Sequence, residues 1–323
     1  MYIKLYETVI ITKGITRALI CDTHSRNTNF IPNDLADVIG LVKASSIAAF
    51  LLKYDSDEQE IIKEYLEFIV QHDFGFYCEG LDEFNMFPKK SKVFEVPYEI
   101  TNCIVDVCGD SDFDLPQLFT QINTLHIPFL QIRVATDHTN LQTETVLHLL
   151  NQFNDTSINE IFLLLPYSEI TEERITSVLF TEKYLTVVFY QAPGNKEELR
   201  VFNNVHISYS TKIITIPASC GMIKVENFNI NEDFYREGLQ FNNCLNRKIC
   251  VDQKGEIKNC PSLNKSFGNI KVISLAEALG TDGFKDLWRI TKDQVSICKD
   301  CEFRNICTDC RAYRQDPADK YSK

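Results

Sequence analysis

The chain has 323 residues, 44% hydrophobic and 24% charged, with 33 Lys and Arg against 45 Asp and Glu for a formal net charge of −12. That apolar content excludes a disordered chain, and the acidic balance opposes nucleic-acid binding, which needs a cationic surface. No run approaches the roughly 20 apolar residues of a membrane span, and the opening MYIKLYETVIITKG lacks a signal-peptide core, so a cytoplasmic protein with neither membrane nor nucleic acid as partner is expected.

Residues 1–90 read as a small α+β unit. The runs Val9–Thr12 and Thr16–Cys21 flank Lys13-Gly14 and predict a hairpin. Pro32-Asn33-Asp34 opens a helix carrying Leu35, Val38, Ile39 and Val42. A longer helix is expected over Ser56–His72, with Ser56 and Gln59 at capping-box spacing and Ile61, Ile62, Tyr65 and Ile69 as its apolar stripe. Phe74–Cys78 reads as a short strand. Two strands, helices and a strand outline a winged helix, and the basic stretch Phe87–Lys92 reads as a linker.

Residues 98–240 alternate strand and helix. Strands are expected at Ile100–Val107, Phe129–Val134, Ile161–Leu165, Leu185–Tyr190, His206–Ser210 and Ile213–Ile216. Helices are expected at Leu115–Thr124, Thr143–Phe153 and Thr171–Thr181, with Asp114 and Thr171 as caps. Continuous apolar strands such as IFLLL suit burial on both faces. Alternating βα units predict a parallel sheet, open or partly closed into a barrel.

Residues 241–323 form the cysteine region. Lys248–Val251 and Glu256–Asn259 flank a turn with Gly255 where a positive φ is needed. Ser274 and Glu277 have capping-box spacing at the start of a short helix, and Gly283–Ile290 is a second one carrying Trp288.

Seven of the 12 cysteines fall here, as Cys244-x5-Cys250-x9-Cys260 and then Cys298-x2-Cys301-x5-Cys307-x2-Cys310. Paired thiolates on tight turns supply four soft ligands, a set suited to tetrahedral zinc or an iron–sulfur cluster. The other five are scattered. Core packing is the default for Cys21, Cys103 and Cys220, because free cysteine is among the most buried residue types. His24, His72, His126, His138, His148 and His206 form no close pair and read as surface or core residues.

The phrases GEIKNCPS, SFGNI and ICKDCEFRNICTDCRAY resemble the SPASM domain of radical SAM peptide-modifying enzymes. They most resemble the SPASM-domain peptide maturases of grasp-with-spasm systems, which work with an ATP-grasp ligase and a ribosomally made precursor peptide. The specific resemblance covers Cys244 to Tyr313. More loosely, the N-terminal unit looks like a PqqD-like leader-recognition element and the middle like a radical SAM barrel. The fold class this implies is α/β: a winged-helix-like unit, a partial (βα) radical-SAM-like barrel and a small SPASM domain.

The family pattern places Cys244, Cys250, Cys260 and Cys310 on one [4Fe-4S] cluster and Cys298, Cys301 and Cys307 on a second. No cysteine follows Cys310, and the last spacing is x2 where x3 is usual, so the second cluster lacks an evident fourth ligand. A non-cysteine group, Cys108 or an open iron would complete it. Alternatively Cys298, Cys301, Cys307 and Cys310 hold one metal together, zinc included.

The CxxxCxxC motif that cages the SAM-cleaving cluster is missing. The text CIVDVCGDSDFD offers Cys103 and Cys108 with no third partner, and LQIRVATDHTNL lacks the glycine-rich SAM-contact turn. SAM is therefore not expected as a cofactor, and the barrel reads as degenerate. The acidic series Asp106, Asp110, Asp112 and Asp114 reads as a solvated loop, or as a contact for a Lys-bearing peptide. The resemblance implies a part in peptide maturation beside an ATP-grasp ligase. A non-catalytic adaptor and an active radical SAM-type peptide-modifying enzyme are the alternatives.

Overall fold

Three sheets organise the computed structural model, which describes residues 1–42, 45–87, 89–135, 146, 148, 150, 153–178, 183–196, 200–202, 204–214, 225–308 and 310–323. In the N-terminal unit, β1 (Tyr2–Leu5) stands apart from an antiparallel meander of β2 (Val9–Lys13), β3 (Ala18–Asp22) and β4 (Thr28–Ile31). The hairpin is as expected, with β3 starting two residues later than its apolar run. The helices α1 (Asn33–Val42), α2 (Ile47–Leu51) and α3 (Ser56–Gln71) follow.

The cap of α3 lies one residue before the expected one. Asp55 accepts from the amides of Asp57 and Glu58, and Glu58 returns to the Asp55 amide. An ionised carboxylate is the stronger acceptor at a helix N-terminus, so Asp55 takes the position assigned to Ser56, and Gln59 donates instead to the Tyr54 carbonyl at 3.0 Å.

A second correction concerns the strand after the helices. β5 (Gly75–Cys78) pairs with β1 in its own two-stranded sheet and leaves the meander alone, so the strands do not form one wing. Gly75 allows this approach, because a Cβ there would stand 2.4 Å from the Lys4 carbonyl oxygen. The short helix α4 (Leu81–Asn85) ends the unit.

The eight-stranded sheet has the order β10-β11-β9-β8-β7-β6-β12-β13. Its parallel body comprises β6 (Asn102–Val107), β7 (Phe129–Val134), β8 (Glu160–Pro166), β9 (Tyr184–Tyr190) and β11 (Val205–Ser210), with β10 (Arg200–Phe202) antiparallel at one edge. α5 (Leu115–Thr124) opens on Asp114, which accepts from the Gln117 amide at 2.9 Å. α6 (Glu169–Val178) starts before the expected Thr171, and the Ser168 hydroxyl caps it by accepting from the Thr171 amide. The helix expected at Thr143–Phe153 lies largely outside the described residues, as do residues 215–216 of the last expected strand; Ile213 and Ile214 are in no strand.

Beyond α7 (Glu232–Gln240), the cysteine region contributes β12 (Lys248–Val251) and β13 (Ile257–Lys258). β12 pairs in parallel with β6, so the hairpin extends the main sheet across the expected boundary. Gly255 has φ 81°, and α8 (Leu275–Leu279) carries the expected Ser274–Glu277 capping box. The stretch around Trp288 is a 3-10 turn over Asp286–Arg289, in place of a full helix.

Alternation divides the main sheet into two unlike faces. Cys103, Val105, Leu130, Ile132, Ile161, Leu163, Val187, Phe189 and Ile207 are buried among the helices. Ile104, Gln131, Phe162, Thr186 and His206 point the other way and are half-exposed. A parallel sheet is normally covered on both faces, and here one face is left half-open among the described residues.

Candidate functional site

Cys250 sits on β12 and Cys260 just beyond β13, and the register Cys250↔Lys258 puts both thiols on the half-open side of the hairpin. Both are buried. Burial drives the Cys250 thiol well above its ordinary value, with neighbouring Cys260, Asp106 and Cys103 adding to the effect and Lys258 opposing it. A proton must therefore leave Cys250 before it can serve as a metal ligand. Cys244 is buried, its amide donating to Asn242 Oδ1 at 3.0 Å. The segment after Cys310 returns to the same place, since Tyr313 Oη lies 3.3 Å from Ser262 Oγ.

Cys298, Cys301 and Cys307 lie farther along the chain, after α8. Cys298 and Cys301 share one 3-10 turn, in which the Cys301 amide donates to the Cys298 carbonyl at 3.1 Å. Ile297, before it, has φ 68° and ψ −52°, and the Cys298 amide donates to the Ser296 carbonyl at 2.7 Å. A β-branched residue at the centre of such a γ-turn is strained, which pins the entry to the turn. Cys307 follows, with its amide on the Phe303 carbonyl.

Eleven cysteines are described, and none is in a disulfide; Cys220 lies outside the described residues. Among the described residues no three His, Cys, Asp or Glu side chains converge on a single-ion site. The described cysteines are free thiols, the donor type that an iron–sulfur cluster or a zinc ion uses.

Between Cys301 and Cys307, the loop Glu302–Ile306 grips the N-terminal meander. Ile306 is buried with Ile10, Leu19 and Cys21, flanked by Phe303 and Phe228. Arg17 Nε meets Glu302 Oε1 at 3.0 Å, Arg304 Nη1 donates to the Lys13 carbonyl at 2.7 Å, and Asn305 Nδ2 donates to Thr12 Oγ1 at 2.8 Å. Phe303 stands edge-on to Phe30 at 5.7 Å, and Arg17 stacks on that same ring at 3.5 Å. The meander is thus covered on one face by its helices, through Ala18, Ile20 and Ile31, and on the other by the cysteine loop. Among the described residues, no hydrogen bond reaches the outer edge of β4.

The residues expected around the barrel mouth fall in different places. Cys103 lies on the helix-covered face, where burial raises its thiol, and Cys108 lies past the end of β6 with its Sγ 3.5 Å from Ser111 Oγ. The acidic series divides: Asp110, Asp112 and Asp114 are exposed, as a solvated loop requires, and Asp106 is not. Asp106 is a strand residue in a buried bidentate pair with Arg133 at 2.6 and 2.7 Å, Asp114 caps α5, and Asp112 pairs with Lys271 at 2.8 Å; Asp110 is exposed. The alternation Val105-Asp106-Val107 within an apolar strand was the available signal, since a carboxylate there needs a partner. Burial pushes the Asp106 carboxyl upward while the Arg133 guanidinium pulls it down.

Arg311, directly after Cys310, is fully buried and donates to the Ser322 carbonyl at 2.8 Å, tying down the C-terminal turn. Glu172 accepts from Tyr167, Tyr209 and Lys196, a satisfied cluster on the helix side of the sheet.

No family model matches the chain, and no curated protein matches it. Among solved structures, it is similar to SuiB of Streptococcus suis, with 10% identity, 96% of each chain covered and a TM-score of 0.31. The same protein bound to its precursor peptide SuiA gives 11% identity, the same coverage and a TM-score of 0.28.

Two outcomes follow from the packing. Arg133→Met, which strands a buried carboxylate, should cost about 3–5 kcal/mol in denaturant unfolding, and Asp106→Leu added to it should restore most of the loss. Ile306→Ala should cost about 2–4 kcal/mol and speed amide exchange at Ile10, Leu19 and Cys21; unchanged exchange there would show that the loop does not hold the meander.

Proposed function

We propose that the protein binds the leader of a ribosomally made precursor peptide through its N-terminal unit and presents the core peptide to a cysteine-ligated metal centre, beside an ATP-grasp ligase. The observation that carries this reading is the clamp of Glu302–Ile306 on the meander. It ties the unit that would bind a peptide to the loop between two cysteine ligands, and it leaves β4 as an edge open to strand addition. Backbone hydrogen bonds along such an edge supply affinity, and side-chain pockets supply selectivity.

The ligand sets proposed are those the family resemblance implies: Cys244, Cys250, Cys260 and Cys310 on one centre and Cys298, Cys301 and Cys307 on the other. The shared side of Cys250 and Cys260 and the return of Tyr313 to Ser262 support the first set. An iron–sulfur cluster there would supply an electron relay or a cross-link, and zinc would supply the cross-link alone. The domain reading is of a leader unit at residues 1–90, a partial barrel at 98–240 and the cysteine domain at 241–323. The burial of Cys103 among the helices favours the adaptor form of this function, in which the partner ligase makes the bond and this chain raises the local concentration of the core peptide.

Hydrogen exchange with and without the precursor peptide tests the reading. Peptide binding should slow exchange at Thr28–Ile31 above all. Binding that protects no amide of β4 would move the leader site elsewhere.

A further inference from the structure

The half-open face of the main sheet carries an arrangement that neither the cysteines nor the leader unit uses. At the start of the strands, the registers Phe129↔Glu160 and Glu160↔Tyr184 place Glu160 between two aromatic residues on neighbouring strands. Phe162 follows it on the same face of β8, and Gln131 lies diagonally across on β7. Phe129 is 41% and Tyr184 58% exposed, and Glu160, Gln131 and Phe162 are half-exposed. Phe129, Gln131, Glu160 and Phe162 line a cavity of about 420 Å³.

The carboxylate thus stands between two exposed rings on one face of the sheet. The Glu160 carboxylate and the Gln131 amide take part in no hydrogen bond or ion pair among the described residues. The lysines nearby are committed elsewhere. Lys183 donates to the Phe153 carbonyl at 3.2 Å, and Lys248, which lines the opposite end of the same cavity, lies in the field of Glu237. Three inter-strand steps separate Lys248 from Glu160, about 14 Å, so the row is positive at one end and negative, with aromatic walls, at the other.

We propose that Glu160, with Phe129, Phe162 and Tyr184, forms a subsite for the cationic side chain of a peptide lysine or arginine. Ring faces attract a cation through their quadrupoles, and a carboxylate among them adds a direct ion pair. The Gln131 amide oxygen offers a further acceptor. An aliphatic stem would lie on the rings while its charged head reached Glu160. The net charge of −12 draws basic ligands to the chain in general, and this is the place on the sheet where one would be held. The inference rests on the peptide-binding reading only in naming a peptide as the ligand, and its residues are separate from β4 and from the cysteines.

The test uses the full chain and two fluorescein-labelled peptides, Val-Thr-Lys-Val-Thr and Val-Thr-Gln-Val-Thr, with binding read by anisotropy. The lysine peptide should bind about fivefold tighter than the glutamine peptide. Glu160→Gln should remove that difference, and Tyr184→Ala, at an exposed position, should weaken the lysine peptide alone. Equal binding of the two peptides, no binding of either, or a lysine preference that survives Glu160→Gln would overturn the proposal. Choline displacing the lysine peptide at a lower concentration than unlabelled lysine peptide does would overturn the assignment to a peptide. Because β4 is untouched by these variants, failure here leaves the exchange result at Thr28–Ile31 to be judged by itself.

Discussion

The contact on which the architecture depends is the seating of Ile306 and Phe303 against the outer face of the β2–β4 meander. A three-stranded sheet with helices on one side leaves its other side wet unless something covers it. Here the cover comes from almost 300 residues away in sequence, from the loop between Cys301 and Cys307. Burying Ile10, Leu19 and Ile306 together is worth about 1.5–3 kcal/mol for each side chain. The hydrogen bonds of Arg304 and Asn305 add direction to that apolar contact. The two ends of the chain are thereby made one body, and a change in the cysteine loop reaches the N-terminal unit through direct packing.

The main sheet solves a different problem. Its helix-facing side is a conventional apolar core, but its other side carries a buried ion pair, a row of half-exposed polar and aromatic residues and the two hairpin thiols. Asp106 and Arg133 occupy the centre of that side, where an isolated charge would be prohibitively costly and a bidentate pair is tolerated. The same side gathers Cys250 and Cys260 near the β12 edge and the aromatic walls of Glu160 further across. Metal chemistry and peptide contact, as proposed, would thus share one face of the sheet with the Asp106–Arg133 pair at its middle.

Much of this was legible in the residues. The apolar runs of β6 to β9 and the caps at Asp114 and Ser274 correspond to observed elements because local hydrogen bonding and burial agree there. The run Ala18-Leu19-Ile20-Cys21 also carried a message: a strand apolar at every position is buried on both faces, so a second covering layer had to exist. Nothing local in Glu302–Ile306 says that it is that layer, because the contact is set by packing between distant segments. The same reason hides the β1–β5 pair, whose four-residue strands are too short to show a period, and the partner of Asp106, which stands 27 residues away on the neighbouring strand. The cysteine spacing marked Cys250 and Cys260 as candidate donors, and the hairpin register places the two on one side of the sheet.

The central claim is that the cysteine loci hold an iron–sulfur centre in a chain clamped to a peptide-binding unit. Iron, zinc and acid-labile sulfide measured on anaerobically purified protein, together with its visible spectrum, test it most directly. The account predicts about four to eight irons per chain with matching sulfide, for one or two [4Fe-4S] clusters. Zinc without sulfide would contradict it and leave a stapled scaffold with no redox chemistry.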